Sequence, residues 1–252
     1  DDCWKNFVKW KGSWLVEKAE GAATDEASLK RLEILAAGVG QGQGQGQGLG
    51  NRGHDVAAPA VAAKQKRFLK NSRILDERML KQVSKAFPHY VQRREIMKIY
   101  DSQTHCQGEE DEGLDNFYHA ADGHSYTLLL LRDETDKIFG AFADEQWKDK
   151  GGSFYGGKDC FIFEWDEAGN ITVHMHKKAK AGSQKRAGNL FMIGSQDFLG
   201  MGSGEGGTFA LYLDKDLSMG SSSPSIIFGN TKPISGVEEF VVENMEVWAF
   251  DL

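Results

Sequence analysis

Cysteine is scarce. The chain has three, at Cys3, Cys106 and Cys160, and they include no C-x-x-C pair. An odd, scattered set of thiols excludes a disulfide framework and a zinc knuckle, and points to a reducing, intracellular compartment. Long apolar runs are also missing. The longest, "TLLLL" at 127–131, is strand-sized, far below the roughly 20 residues that cross a bilayer. The first residues, "DDCWKNFVKW", have no apolar core of a signal peptide and no initiator Met, which leaves a longer parent protein open. No G-K-[ST] phosphate loop, RNP, zinc-finger or basic-zipper pattern is found, so neither nucleic acid nor membrane insertion is expected.

What is present fits a globular chain. The 252 residues, 40% hydrophobic and 27% charged, suffice for one or two domains. The net charge of −7 is segregated. Residues 64–98 carry eleven Lys or Arg against three Asp or Glu, a local +8, so the rest carries −7 − 8 = −15. Such a segment is either a docking surface for an acidic partner or a solvated helix face, and the solvated face is the simpler reading.

Three regions differ in texture. Residues 1–37 predict a helical extension. Trp4, Phe7, Val8, Trp14 and Leu15 fall near one face at helical spacing, and a surface this rich in tryptophan should dock on something. Trp4, Phe7, Trp10 and Trp14 are its candidate anchor. A second helix starts at Thr24, carries Leu29, Leu32 and Leu35, and stops at Gly38. Residues 38–63, with "GQGQGQGQG" and an alanine-rich continuation, read as a flexible linker. Residues 64–252 form the main domain. Its opening helix has Asp76 as cap, Leu75 and Leu80 as a hydrophobic staple, a stripe of Met79, Leu80 and Val83, and a stop at Pro88. Strands follow at "EIMKIYD", "YTLLLLRD", "IFGAFAD", "DCFIFEW", "NITVHMH", "NLFMIGS", "FALYLD", "SIIFG" and "MEVWAFDL", with one short helix at 113–121. Strands at short intervals joined by Gly, Ser, Asn and Asp predict an antiparallel sandwich.

The stretch "GMGSGEGGTFALYLD" (200–214) has the G-x-G-x-x-G spacing of a dinucleotide fingerprint at Gly202, Gly204 and Gly207. That fingerprint must open a helix. Here a period-two pattern, Thr208 to Leu213, follows instead, and no acidic residue stands about 20 positions on to meet a ribose. The glycines therefore read as a sheet-to-sheet loop with positive φ or close backbone packing.

Other constellations are weak. His174 and His176 would share a strand face, but no third metal ligand is identifiable. "DETDK" lacks the Gly and terminal Glu of an EF-hand. Ser195 and Ser222 lack the nucleophile elbow. Cys160 sits in an apolar pattern and reads as a buried, inert thiol, leaving Cys106, beside His105, as the one candidate reactive thiol. Acidic "GEEDEGLD" (108–115) reads as a solvated loop or a contact for a basic partner.

The stretches 126–147, 154–165, 189–230 and 238–250, with "LYLDKDL", "GSS" and a closing "EVWAF", together resemble a TLDc domain over roughly residues 72–251. The resemblance implies an α+β, mainly β fold: a two-sheet antiparallel β-sandwich flanked by short helices. It places Gly140, Trp147, Gly202, Gly204, Gly207, Asp214, Gly220 and Ser222 in the family pattern. It implies no cofactor and no catalytic set. TLDc proteins are associated with oxidative-stress protection, and several bind the V1 sector of the vacuolar proton pump. The resemblance therefore implies a cytoplasmic, non-enzymatic binding module, at the vacuolar or lysosomal surface. The alternative is a structural subunit of a ciliary or cytoskeletal assembly, anchored by the Trp-rich extension; a thiol-dependent antioxidant enzyme is the weakest option. Two departures stand out. "SQTHCQGEEDEG" replaces the family's short turn after its first strand. The chain also stops just after its last strand, so contacts made through a C-terminal extension are not expected.

Overall fold

The computed structural model describes residues 69–105, 113–176 and 190–251. The anchor residues Trp4, Phe7, Trp10 and Trp14, the linker, Cys3 and Cys106 lie outside the described residues.

The domain opens with helix α1 (Glu77–Val83) and a 3-10 turn (Ser84–Ala86). Asp76 caps α1 by accepting the Met79 amide at 2.7 Å, and the staple residues Leu75 and Leu80 are both buried. Leu80 and Val83 are buried, but Met79 is only half-buried, so the stripe is narrower than expected. Strand β1 (Ile96–Asp101) and the short helices α2 (Ser102–His105) and α3 (Gly113–Ala120) follow. The remaining strands are β2 (Thr127–Asp133), β3 (Ile138–Ala143), β4 (Phe154–Tyr155), β5 (Phe161–Trp165), β6 (Ile171–Met175), β7 (Met192–Gly194), β8 (Phe198–Ser203), β9 (Phe209–Asp214), β10 (Met219–Ser221) and β11 (Glu239–Phe250).

All pairings are antiparallel and fall into two sheets. Sheet A runs β1-β11-β2-β3-β5-β6 and sheet B runs β4-β7-β8-β9-β10-β11. Strand β11 belongs to both. Its first residues, Glu239–Val241, pair with β10, and from Val242 onward it pairs with β2, with an irregularity between Val242 and Asn244. Twelve residues are enough for one strand to leave one sheet and continue in the other.

Three layers result. The sandwich interior joins Leu129, Leu131 and Val247 of sheet A to Leu199, Leu211 and Leu213 of sheet B. On the opposite face of sheet A, Leu128, Leu130, Phe142 and Trp248 pack under Leu80, Val83 and Phe87. Phe87 sits 5.2 Å from the Phe142 ring and edge-on to Phe250 at 5.0 Å. This explains the unbroken "LLLL": a strand buried on both faces cannot alternate. The segment before α1 is tied to the same face. Glu246, fully buried, accepts from Ser72 Oγ at 2.6 Å, Arg73 N at 2.7 Å and the Trp248 indole at 3.1 Å, with Lys98 Nζ at 3.4 Å.

Candidate functional site

The glycine loop is a hairpin inside sheet B. Met201 pairs with Leu211 and Ser203 with Phe209, on either side of a 3-10 turn at Glu205–Gly207. It joins neighbouring strands of one sheet, which corrects the expected sheet-to-sheet loop, and it opens into β9 rather than a helix. Gly202 has φ 67°, and a Cβ there would come within 2.5 Å of the Phe228 ring. A Cβ on Gly204 would stand 2.6 Å from the Pro224 carbonyl oxygen. At Gly207 the space is open, and glycine is required by φ 81° alone.

Those two close approaches are to one neighbouring loop, residues 222–231. The pattern of "SIIFG" predicts a strand there; it forms a turn, because side chains capture the backbone first. Ser225 Oγ accepts the Ile227 amide at 3.1 Å and donates to the Ser203 carbonyl at 3.1 Å. Asn230 Oδ1 accepts the Ser225 amide at 3.1 Å, while its Nδ2 donates to the Ser223 and Lys232 carbonyls at 3.0 and 2.9 Å. Ser222, fully buried, donates to the Ala210 carbonyl at 2.6 Å and accepts the Ile234 amide at 2.9 Å. Ile227 and Phe228 are buried, yet Ile226 is 58% exposed. Beside it opens a hollow of about 560 Å3 lined by Thr208, Ser223, Pro224, Ser225, Gly229, Asn230 and Thr231, none of them charged.

The remaining expected residues shape the fold. Asp214 accepts the Ser218 and Met219 amides at 3.0 and 3.2 Å, closing the β9–β10 turn, and burial pushes its carboxyl up. Gly220 pairs with Leu213 and faces Phe240, whose ring would lie 2.3 Å from a Cβ. Gly140, in sheet A, would place a Cβ 2.0 Å from the Leu129 carbonyl oxygen. Trp147 is fully buried and donates its indole N–H to Thr127 Oγ1 at 3.0 Å. The structure thus gathers Gly202, Gly204, Gly207 and Ser222 around one loop pair and puts Gly140 and Trp147 elsewhere.

The weak constellations stay apart. His174 lies 3.7 Å from Glu164, whereas His176 contacts the Ile227 carbonyl and packs edge-on to Phe191. Among the described residues no group of three His, Cys, Asp or Glu is placed to hold a metal ion. Cys160 is buried against Asp144, and burial first, then that carboxylate, pushes its thiol well up. Among the described residues no helix is long and apolar enough to cross a membrane.

Residues 68–251 match the family described as the TLDc domain. The chain belongs to the TLDc family. Oxidation resistance protein 1 of Rattus norvegicus is 32% identical over 146 residues, 57% of this chain and 16% of that protein. The same protein of Homo sapiens is 32% identical over 57% of this chain and 15% of its own length. TBC1 domain family member 24 of Xenopus laevis is 29% identical over 185 residues, 56% of this chain and 32% of that protein. This TLDc chain therefore spans less than a third of the length of these relatives.

The sequence reading missed Ile226, Ser225 and Asn230. A signal was available: Ser and Asn bracketing a short apolar run, directly after a proline, favour turns that fold back on their own backbone.

Proposed function

We propose that this TLDc chain is a non-enzymatic regulatory module that binds the V1 sector of the vacuolar proton pump and contributes to oxidative-stress protection from the cytoplasmic side. The observation that carries this reading is the loop pair. Buried Ser222, Ser225 and Asn230 and the crowded Gly202 and Gly204 all hold a loop whose outward product is one exposed isoleucine beside an uncharged hollow. A loop ordered before binding loses less entropy on docking. The names of the relatives, oxidation resistance protein 1, supply the link to oxidative stress. Purified chain mixed with isolated V1 is expected to co-elute on size exclusion. Separate elution at low glucose and under oxidant would sink the reading. The enzymatic alternative makes a distinct forecast: pure protein would consume peroxide, and Cys106→Ser would stop it.

A further inference from the structure

A groove of about 580 Å3 crosses one end of sheet A, between the start of α1 and three turns. Met79, Ile138 and Trp165 floor it, and Val237, 49% exposed, stands at its lip. Its walls are fastened. The Trp165 indole donates to Gln82 Oε1 at 2.7 Å, and Gln82 Nε2 donates to the Gly169 carbonyl at 3.0 Å, which ties α1 to the β5–β6 turn. Asp133 Oδ1 accepts the Thr135 and Lys137 amides at 2.8 and 3.0 Å, closing the β2–β3 turn. In that turn Asp136 has φ 63° and an 86% exposed side chain.

The charges select the occupant. Asp76, Asp136, Asp166 and Glu167 line the groove against Arg78 and Lys137. Lys137 is paired with Glu164 at 2.8 Å and Arg78 reaches the Ala168 carbonyl at 3.4 Å, while Asp136 stands 4.0 Å from Arg132, a long and exposed pair that leaves the carboxylates in excess on the rim. Asp166 is held ionised, its pKa lowered by the Asn170 amide and side chain. An anionic lipid surface or an acidic peptide would meet like charge on this rim.

We propose that the groove docks a cationic amphipathic segment of a partner protein, with one aliphatic side chain over Trp165 and Ile138 and Lys or Arg side chains against the carboxylates of the two turns. The rim charges steer the encounter and set specificity, while the aliphatic anchor sets the lifetime of the complex. This surface is separate from the Ile226 loop, and the inference does not rest on the pump reading.

The test is fluorescence polarisation with the full chain and a labelled synthetic peptide of lysine pairs alternating with single leucines. Binding is expected at low salt, weakening by about tenfold in the double variant Asp136→Lys, Glu167→Lys, and by a similar factor when the leucines become serines. Circular dichroism checks that the variant folds, and Val237→Lys, at an exposed position, supplies a second weakened form. Equal affinity for the charge-reversed variant, equal affinity for the serine peptide, or no binding near ~1 mM peptide overturns the proposal. So does self-association of the chain that the charge reversals abolish, which would give the groove to a second copy.

Discussion

The Glu246 carboxylate accepts a hydrogen bond from the Ser72 hydroxyl at 2.6 Å, joining the last strand to the segment that leads into α1. The same carboxylate is buried, and Arg73 N, the Trp248 indole and Lys98 share it. Removing it strands the Arg73 amide and the Trp248 indole at once and takes the acceptor from the Ser72 hydroxyl, while Lys98 keeps Asp101. Glu246→Leu is therefore expected to destabilise the domain by about 3 kcal/mol, and Ser72→Ala by about 1 kcal/mol. Urea denaturation followed by tryptophan fluorescence measures both.

Acid should find the neighbouring pair. Burial pushes the Asp101 carboxyl up, but the Lys98 ammonium and the Gln103 amide outweigh it and hold its pKa below the ordinary value. A depressed folded pKa means that Asp101 contributes its stability above the unfolded value of about 4 and loses it as pH falls further, through the folded value. Between neutral pH and about pH 3, wild type should lose more unfolding free energy than Asp101→Asn. Equal losses in the two proteins would remove Asp101 from the account.

The glycines should separate into two classes. Gly140→Ala drives a methyl onto the Leu129 carbonyl oxygen, which belongs to a paired strand and cannot move aside. Loss of about 3 kcal/mol or failure to fold is expected. Gly207→Ala meets open space and only an unfavourable φ, so its cost should stay near 1–2 kcal/mol. Thermal melts of the two variants side by side test this ordering.

Cys160 should be silent. Its buried Sγ faces Asp144 at 3.0 Å, and the raised pKa leaves little thiolate at neutral pH. Iodoacetamide treatment of native protein, read by peptide mass spectrometry, should leave Cys160 unmodified until denaturant is added. Modification in the folded state would contradict its burial.

Much of the fold was legible because it is written locally. The Asp76 cap, the Leu75–Leu80 staple and the period-two run of β9 each lie within a few neighbouring residues, and each is found where the pattern puts it. The glycine loop leads into a strand and not a helix, as the period-two pattern after it predicts. Strand β8 was not read, because Gly200 and Gly202 interrupt its alternation. "SIIFG" was misread because its apolar letters match a strand while Ser225 and Asn230, on either side, take its hydrogen bonds. The two surfaces proposed for binding are the least legible. The Ile226 loop depends on Gly202 and Ser203 two strands away, and the groove assembles residues from 76 to 237. Neither juxtaposition has a period or a spacing in the chain.

The central claim is that the Ser222–Asn230 loop presents Ile226 to the V1 sector. The direct measurement is biolayer interferometry of immobilised chain against isolated V1, comparing wild type with Ile226→Ser. The variant should melt within about 0.5 kcal/mol of wild type, because Ile226 is exposed, and should bind V1 at least about tenfold more weakly. Ile226→Val should recover most of the affinity. Binding of V1 by wild type and Ile226→Ser with one affinity would contradict the role of the loop, and absence of binding by wild type would contradict the function itself.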